Sequence, residues 1–198
     1  MKTQTNRLNQ LHITTVIRIA FLALVLMLSS CKDDKASAQD KTNTEAKTPK
    51  IDIHTAVVTN DIGTIKQHIA AKLNINEKDQ FGGSSPLISA ALFGKTEIAK
   101  LLIDAGADLN VQNNDGSTAI ITAAFFCRPQ IVRMLLEKKA DKTLKNNYKQ
   151  TAYDSVSGDF DSVKPSYEAL GKMLEPMGLK LDFAYLEKTR PEIAQMLK

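Results

Sequence analysis

Cysteine is nearly absent: Cys31 and Cys127 are the only two in 198 residues. With Cys31 assigned below to a role at the end of a leader, Cys127 is left alone. No intramolecular disulfide can then form, and the folded part must rest on packing. Histidine is scarce too, and beyond the leader only His54 and His68 remain, too few for the clustered ligands a metal site needs. Glycine numbers nine, and the doublet in FGGSS is not followed by the lysine and hydroxyl of a phosphate loop. The carboxylates of KDD and NNDG lack the spacing and closing glutamate of a calcium loop. Long apolar runs are missing as well. The ten residues from Ile19 to Leu28 would rise about 15 Å as a helix, roughly half the hydrocarbon thickness of a bilayer, so a spanning helix is not expected. No nucleophile, acid, base or metal set assembles on the chain, so neither catalysis nor a cofactor is expected.

No acidic residue precedes Lys32, whereas Lys2, Arg7 and Arg18 give a basic start ahead of IAFLALVLML (Ile19 to Leu28). Basic then apolar is the order of a signal peptide. The segment ends in LSSC, which resembles the lipobox of bacterial lipoproteins: a leucine and two small residues before a cysteine that is acylated and becomes the first residue of the mature chain. The resemblance makes Cys31 the lipidated residue and places the protein in the bacterial cell envelope, anchored to the outer membrane and either periplasmic or surface-exposed. The alternative is an ordinary secretory signal ending near Ser30. CKDD resembles the start that, in one phylum of Gram-negative bacteria, sends lipoproteins to the outer face, and reads equally as the beginning of a solvated linker. Residues 31–50 have no large apolar side chain to offset the cost of ordering, so a disordered tether is expected, with a mean reach of about 25 Å. Removing 1–30 leaves 23 basic against 22 acidic residues, a net +1 in place of the +4 of the full chain. Net charge then gives no argument for nucleic acid as a partner.

The roughly 150 residues after the tether suffice for one domain, and they repeat. SPLISAALFGKTEIAKLLIDAGADLNVQNNDG (Ser85 to Gly116) aligns at 33 residues with TAIITAAFFCRPQIVRMLLEKKADKTLKNNYK (Thr118 to Lys149). Ala90 and Ala91 fall on Ala123 and Ala124, Ile98 on Ile131, Leu101 and Leu102 on Met134 and Leu135. Upstream, IHTAVVTNDIGTIKQHIAAKLNIN (Ile53 to Asn76) matches at 34, and TAYDSV (Thr151 to Val156) begins a further unit before the period decays. In each unit a short helix opens at or near a proline position and stops at a bend. The paired alanines admit a close neighbour, and apolar residues three and four apart stripe a second helix. Neither helix can bury its stripe alone, so the units must stack.

This pattern resembles the ankyrin repeat, whose turn, Thr-Pro-Leu-His, paired alanines and closing Gly-Ala-Asp are carried by SPLISAA and LLIDAGADLN. The resemblance implies an all-α, ankyrin-repeat solenoid: about four units over 51–179, the last diverged, and a helical C-terminal cap over 180–198. The family's histidine survives only at His54, where it would hydrogen-bond the turn, and its proline only at Pro86. Past Lys164 the sequence suggests a helix from about Ser166 to Leu174, another after Asp182 and one opening at Pro191.

By the same resemblance the ends of the first helices and the hairpin tips face partners. The candidate partner-binding residues are Phe81, Leu92, Phe93, Gln112, Asn114, Phe125, Phe126, Lys145, Asn147 and Tyr148. Repeat spacing stacks Leu92 on Phe125 and Phe93 on Phe126, which would make an apolar patch rimmed by polar tips, unless one of each pair wedges into the core. Cys127 falls where the preceding unit has Gly94, a bend that asks for a positive φ; strain or exposure there would make it reactive, burial would make it inert. The expectation is a monomeric, non-enzymatic, membrane-tethered protein-interaction module. The alternatives are a redox or enzyme-supporting role for Cys127, or an immunity-type protein that neutralises a toxin.

Overall fold

The computed structural model describes residues 49–198; the expected signal peptide, Cys31 and all but the last two residues of the expected tether lie outside them. Among the described residues the regular structure is helical. The elements are α1 (Ile53–Val58), α2 (Ile62–Ala70), α3 (Pro86–Phe93), α4 (Thr96–Asp104), α5 (Ala119–Phe125), α6 (Pro129–Glu137), α7 (Asp154–Ser157), α8 (Phe160–Leu174) and α9 (Phe183–Leu197), with a 3₁₀ turn over Glu175–Met177.

Capping explains most of the helix starts. The side chains of Asp52, Asp61, Ser85 and Thr118 accept from the backbone N–H three residues on, at Thr55, Thr64, Ile88 and Ile121, satisfying donors that no helical carbonyl can reach. The bends recur with the period. Positive φ appears at Asn60, Gly94 and Cys127 between the helices of a unit, at Lys72, Gly106 and Lys139 after the second helix, and at Gly83, Gly116 and Lys149 in the hairpin. The third register thus repeats in the backbone even where glycine has been replaced.

The first helices of successive units pack in one row (α1, α3, α5, α7) and the second helices in another (α2, α4, α6, α9). Between the rows lie Leu87, Ile88, Ala90 and Ala91 of α3 with Ile98, Ala99 and Leu102 of α4. The next unit places Ile120, Ala123 and Ala124 with Ile131, Val132 and Leu135, all essentially inaccessible. Asparagines clip the units together: the N–H of Asp108 donates to Asn76 Oδ1 at 2.9 Å, and that of Asp141 to Asn110 Oδ1 at 3.0 Å. On the outer row Asp104 pairs with Lys100 of its own helix and, at 3.6 Å, with Lys138 just past the end of α6; both contacts are exposed and add little stability.

The fourth unit departs from the expected layout. Its first helix is the short α7, and the place of its second helix is taken by α9, which packs on α6 and α7 as α6 packs on α4 and α5. Leu186, Ile193 and Leu197 bury the stripe that Ile131 and Leu135 bury one unit earlier. The intervening α8 is an insertion at the bend. It starts at Phe160, earlier than expected, because Asp159 caps it through Ser162. No new helix opens at Pro191 either: α9 runs through it as one element. Proline there removes one backbone donor and lies on the exposed side, where water can satisfy the freed carbonyl.

Candidate interaction surface

Each hairpin tip is built by a carboxylate or amide that folds the backbone over itself. Asp79 accepts from the N–H groups of Phe81, Gly82 and Ser84 at 2.8, 2.7 and 3.0 Å. Asn113 does the same for Asp115 and Ser117, and Asn146 for Tyr148 and Gln150. Phe81, Asp115 and Tyr148 therefore hold one register on three successive tips. Phe81 is 97% and Tyr148 71% exposed. The tips are also tied to one another: Asn114 N–H donates to Gly82 O and Asn147 N–H to Asp115 O, each at 2.9 Å.

The expected partner residues divide accordingly. Asn147 spends its amide on Asn114 O at 2.9 Å, and half-buried Gln112 donates to Gly116 O and to Lys145 O. Both hold the row of tips in register, which repeat alignment could not reveal. Phe81, Asn114, Lys145, Asn147 and Tyr148 are exposed, Asn147 with its amide already engaged.

The patch expected from Leu92, Phe93, Phe125 and Phe126 is not formed. Phe126 is 5% exposed and belongs to the core, edge-on to Phe125 with ring centroids 5.1 Å apart. Phe125 is half-buried because Tyr167 of α8 stacks on it at 4.5 Å and donates its hydroxyl to Phe125 O at 2.5 Å. Leu92 and Phe93, which no aromatic of the insertion covers, are half-buried rather than exposed. The equivalent positions differ only in the second pair, where Phe126 is buried and Phe93 half-buried.

Behind Phe125 lies a polar knot that no motif announced. Arg190 of α9 is 2% exposed and donates to Ser155 O and Tyr167 Oη at 3.0 Å and to Gly158 O at 3.2 Å, so it joins α7, α8 and α9 without a carboxylate. Cys127 adopts φ 52° as its position requires. Its thiol is fully buried, points at Leu186 O at 3.6 Å, and burial pushes it up to about 11 despite the nearby Arg190 and Arg128. A protonated, inaccessible thiol does not carry redox chemistry at neutral pH. Burial likewise pushes the Tyr167 phenol to about 12.

His68 keeps to the second-helix stripe and shares a hydrogen bond with Ile51 O at 2.9 Å. His54 departs from expectation: both ring nitrogens are buried and without a partner, so it does not hold the turn. Among the described residues no three histidine, cysteine or acidic side chains converge on a possible metal position.

Residues 53–146 match the family model for ankyrin repeats in three copies. No curated protein matches the chain. A similar solved structure is the ankyrin repeat domain of Bcl-3, a member of the IkappaB protein family: 31% identity, a TM-score of 0.50, and coverage of 52% of this chain and 45% of that one. The chain thus spans less than half the length of that structure. With the stacked helix pairs above, these matches make the fold an ankyrin-repeat solenoid and support a protein–protein interaction module, a fold used typically as a non-catalytic scaffold.

Proposed function

We propose that this ankyrin-repeat chain is a binding scaffold moored to a bacterial envelope membrane by lipid on Cys31, and that it holds another protein along its hairpin tips. Phe81 carries the reading. A phenyl ring 97% exposed forfeits about 2 kcal/mol of burial, and here the backbone beneath it is fixed by three hydrogen bonds to one carboxylate. An aromatic on a backbone that is already ordered spares part of the entropy cost of docking, which suits a binding anchor. Tyr148 repeats the arrangement two units on, about 20 Å away at an interhelical spacing of roughly 10 Å, with Asn114 and Asp115 between them.

Crosslinking in intact cells tests the tips. Recovery of a specific partner should fall at least tenfold when Phe81 and Tyr148 are both changed to serine, while thermal melting stays put because neither side chain is packed. Undiminished recovery rejects the tip row. Labelling cells with an alkynyl fatty acid tests the anchor: the label should be lost in Cys31→Ser, and an unlabelled wild-type chain rejects lipidation.

A further inference from the structure

The bends between the two helices of each unit carry a second pattern that the tips do not explain. The residue after the positive-φ position is Asp61 in the first unit, Lys95 in the second and Arg128 in the third. Asp61 caps its own helix, accepting from Thr64 N at 2.9 Å and Thr64 Oγ1 at 2.8 Å. Lys95 and Arg128 sit at the same place on α4 and α6 and make no side-chain cap. Cations there oppose the helix dipole, whose N-terminal end is positive. Two successive units thus break a rule that the first obeys, at a cost in stability.

Arg128 is held in this unfavourable position. It lies across Gly94, where an added Cβ would fall 2.9 Å from Nε. Nη2 donates to Leu92 O at 3.2 Å, and Nε is buried with no partner. Burial lowers its pKa, and no carboxylate is among the neighbours that oppose the shift. Among the described residues the ion pairs within 4 Å all involve Asp104, on the far row; Glu97, in the first turn of α4, makes none. The second guanidinium near the bend, Arg190, also has only neutral oxygens for partners. Arg128 bonds the carbonyl of half-buried Leu92, the residue before half-buried Phe93, and has Tyr185, 43% exposed, as a neighbour.

We infer that this bend row docks an acidic segment of a protein partner, one carboxylate pairing with Arg128 and a second with Lys95, an apolar side chain between them lying against Leu92, Phe93 and Tyr185. A desolvated cation rimmed by apolar side chains and lacking a counterion gains most when a carboxylate arrives, since a charge-assisted pair then forms where water is already excluded. The inference rests on the reading of the chain as a protein-binding scaffold, and adds the chemistry of what is bound at a place distinct from the tips.

Fluorescence anisotropy of the full chain with a labelled peptide of alternating glutamate and phenylalanine, against its glutamine counterpart, tests it. The glutamate peptide should bind about tenfold more tightly, with that preference lost in Arg128→Gln, reduced in Lys95→Gln and partly kept in Arg128→Lys. Arg128→Gln should melt at or above the wild-type temperature, because it removes a desolvated charge from a positive helix end. Equal binding of the two peptides overturns the inference, and so does undiminished binding by Arg128→Gln. A fall in melting temperature beyond about 5 °C for that variant also overturns it, by assigning the arginine to folding. Peptide binding lost in the Phe81 and Tyr148 serine variant but kept in Arg128→Gln leaves the tip reading standing and removes this one.

Discussion

Removing Tyr167 should release the inserted helix without unfolding the repeats. Tyr167 is the one buried residue of the fifteen in α8. Its ring stacks on Phe125, and its hydroxyl gives a hydrogen bond to Phe125 O while receiving one from Arg190 Nη1. Tyr167→Phe keeps the ring and loses both bonds. Arg190 retains Ser155 O and Gly158 O, so the main losses are the unsatisfied Phe125 carbonyl and one bond to a charged donor, together about 2 kcal/mol. With a urea m-value near 1.5 kcal/mol/M, that lowers the midpoint by about 1.3 M. Tyr167→Ala adds the loss of the ring and a cavity, which raises the cost to about 4–5 kcal/mol. Much of this should appear locally, because units in a stack open separately. Hydrogen exchange followed by mass spectrometry should show amides of Phe160–Leu174 exchanging nearly freely in Tyr167→Ala, while those of Pro86–Asp104 stay protected. Unchanged protection of the inserted helix would refute the argument that one side chain holds it.

Two further outcomes follow from the same coordinates. Gly116→Ala should destabilise by more than Gly106→Ala: both have positive φ, at 73° and 84°, but a Cβ at Gly116 meets Asn147 Oδ1 at 2.7 Å whereas one at Gly106 meets nothing within 4 Å. The strain common to both is about 1 kcal/mol, so urea melts giving equal losses would show that the tips are not locked together. On the alkaline side, Cys127 and Tyr167 both titrate higher in the fold than the ordinary 9.0 and 10.0. Their neutral forms are favoured by folding, so that stability is complete below about pH 9 and is lost as pH rises through 11 to 12. Chemical denaturation across that range should show the fall, with a shallower one in Tyr167→Phe; a flat profile would contradict their burial.

Much of the stack could be read without coordinates because its information is local and repeated. The alignment of Ile98 with Ile131 fixed which side chains are buried. Pro86 marked a helix start, and Cys127 in the place of Gly94 announced a positive φ that the backbone adopts. The candidate surface was legible only in part. Phe81 and Tyr148 stand out because tip residues touch little else, whereas Gln112 and Asn147 serve the neighbouring tip. Phe126 disappears into the core, and the expected signal peptide and Cys31 lie outside the described residues.

The sequence by itself determined the period, the helix pairs and the bends, since each depends on residues within one turn or one unit of each other. Only the tertiary structure decided that α9 completes the fourth unit, that α8 is inserted at its bend and covers Phe125, and that Arg128 has no counterion among the described residues. Those outcomes depend on contacts between residues 36 and 42 positions apart, Arg128 with Leu92 and Tyr167 with Phe125. No local pattern encodes such pairs, because they arise from chain segments meeting after the stack has formed.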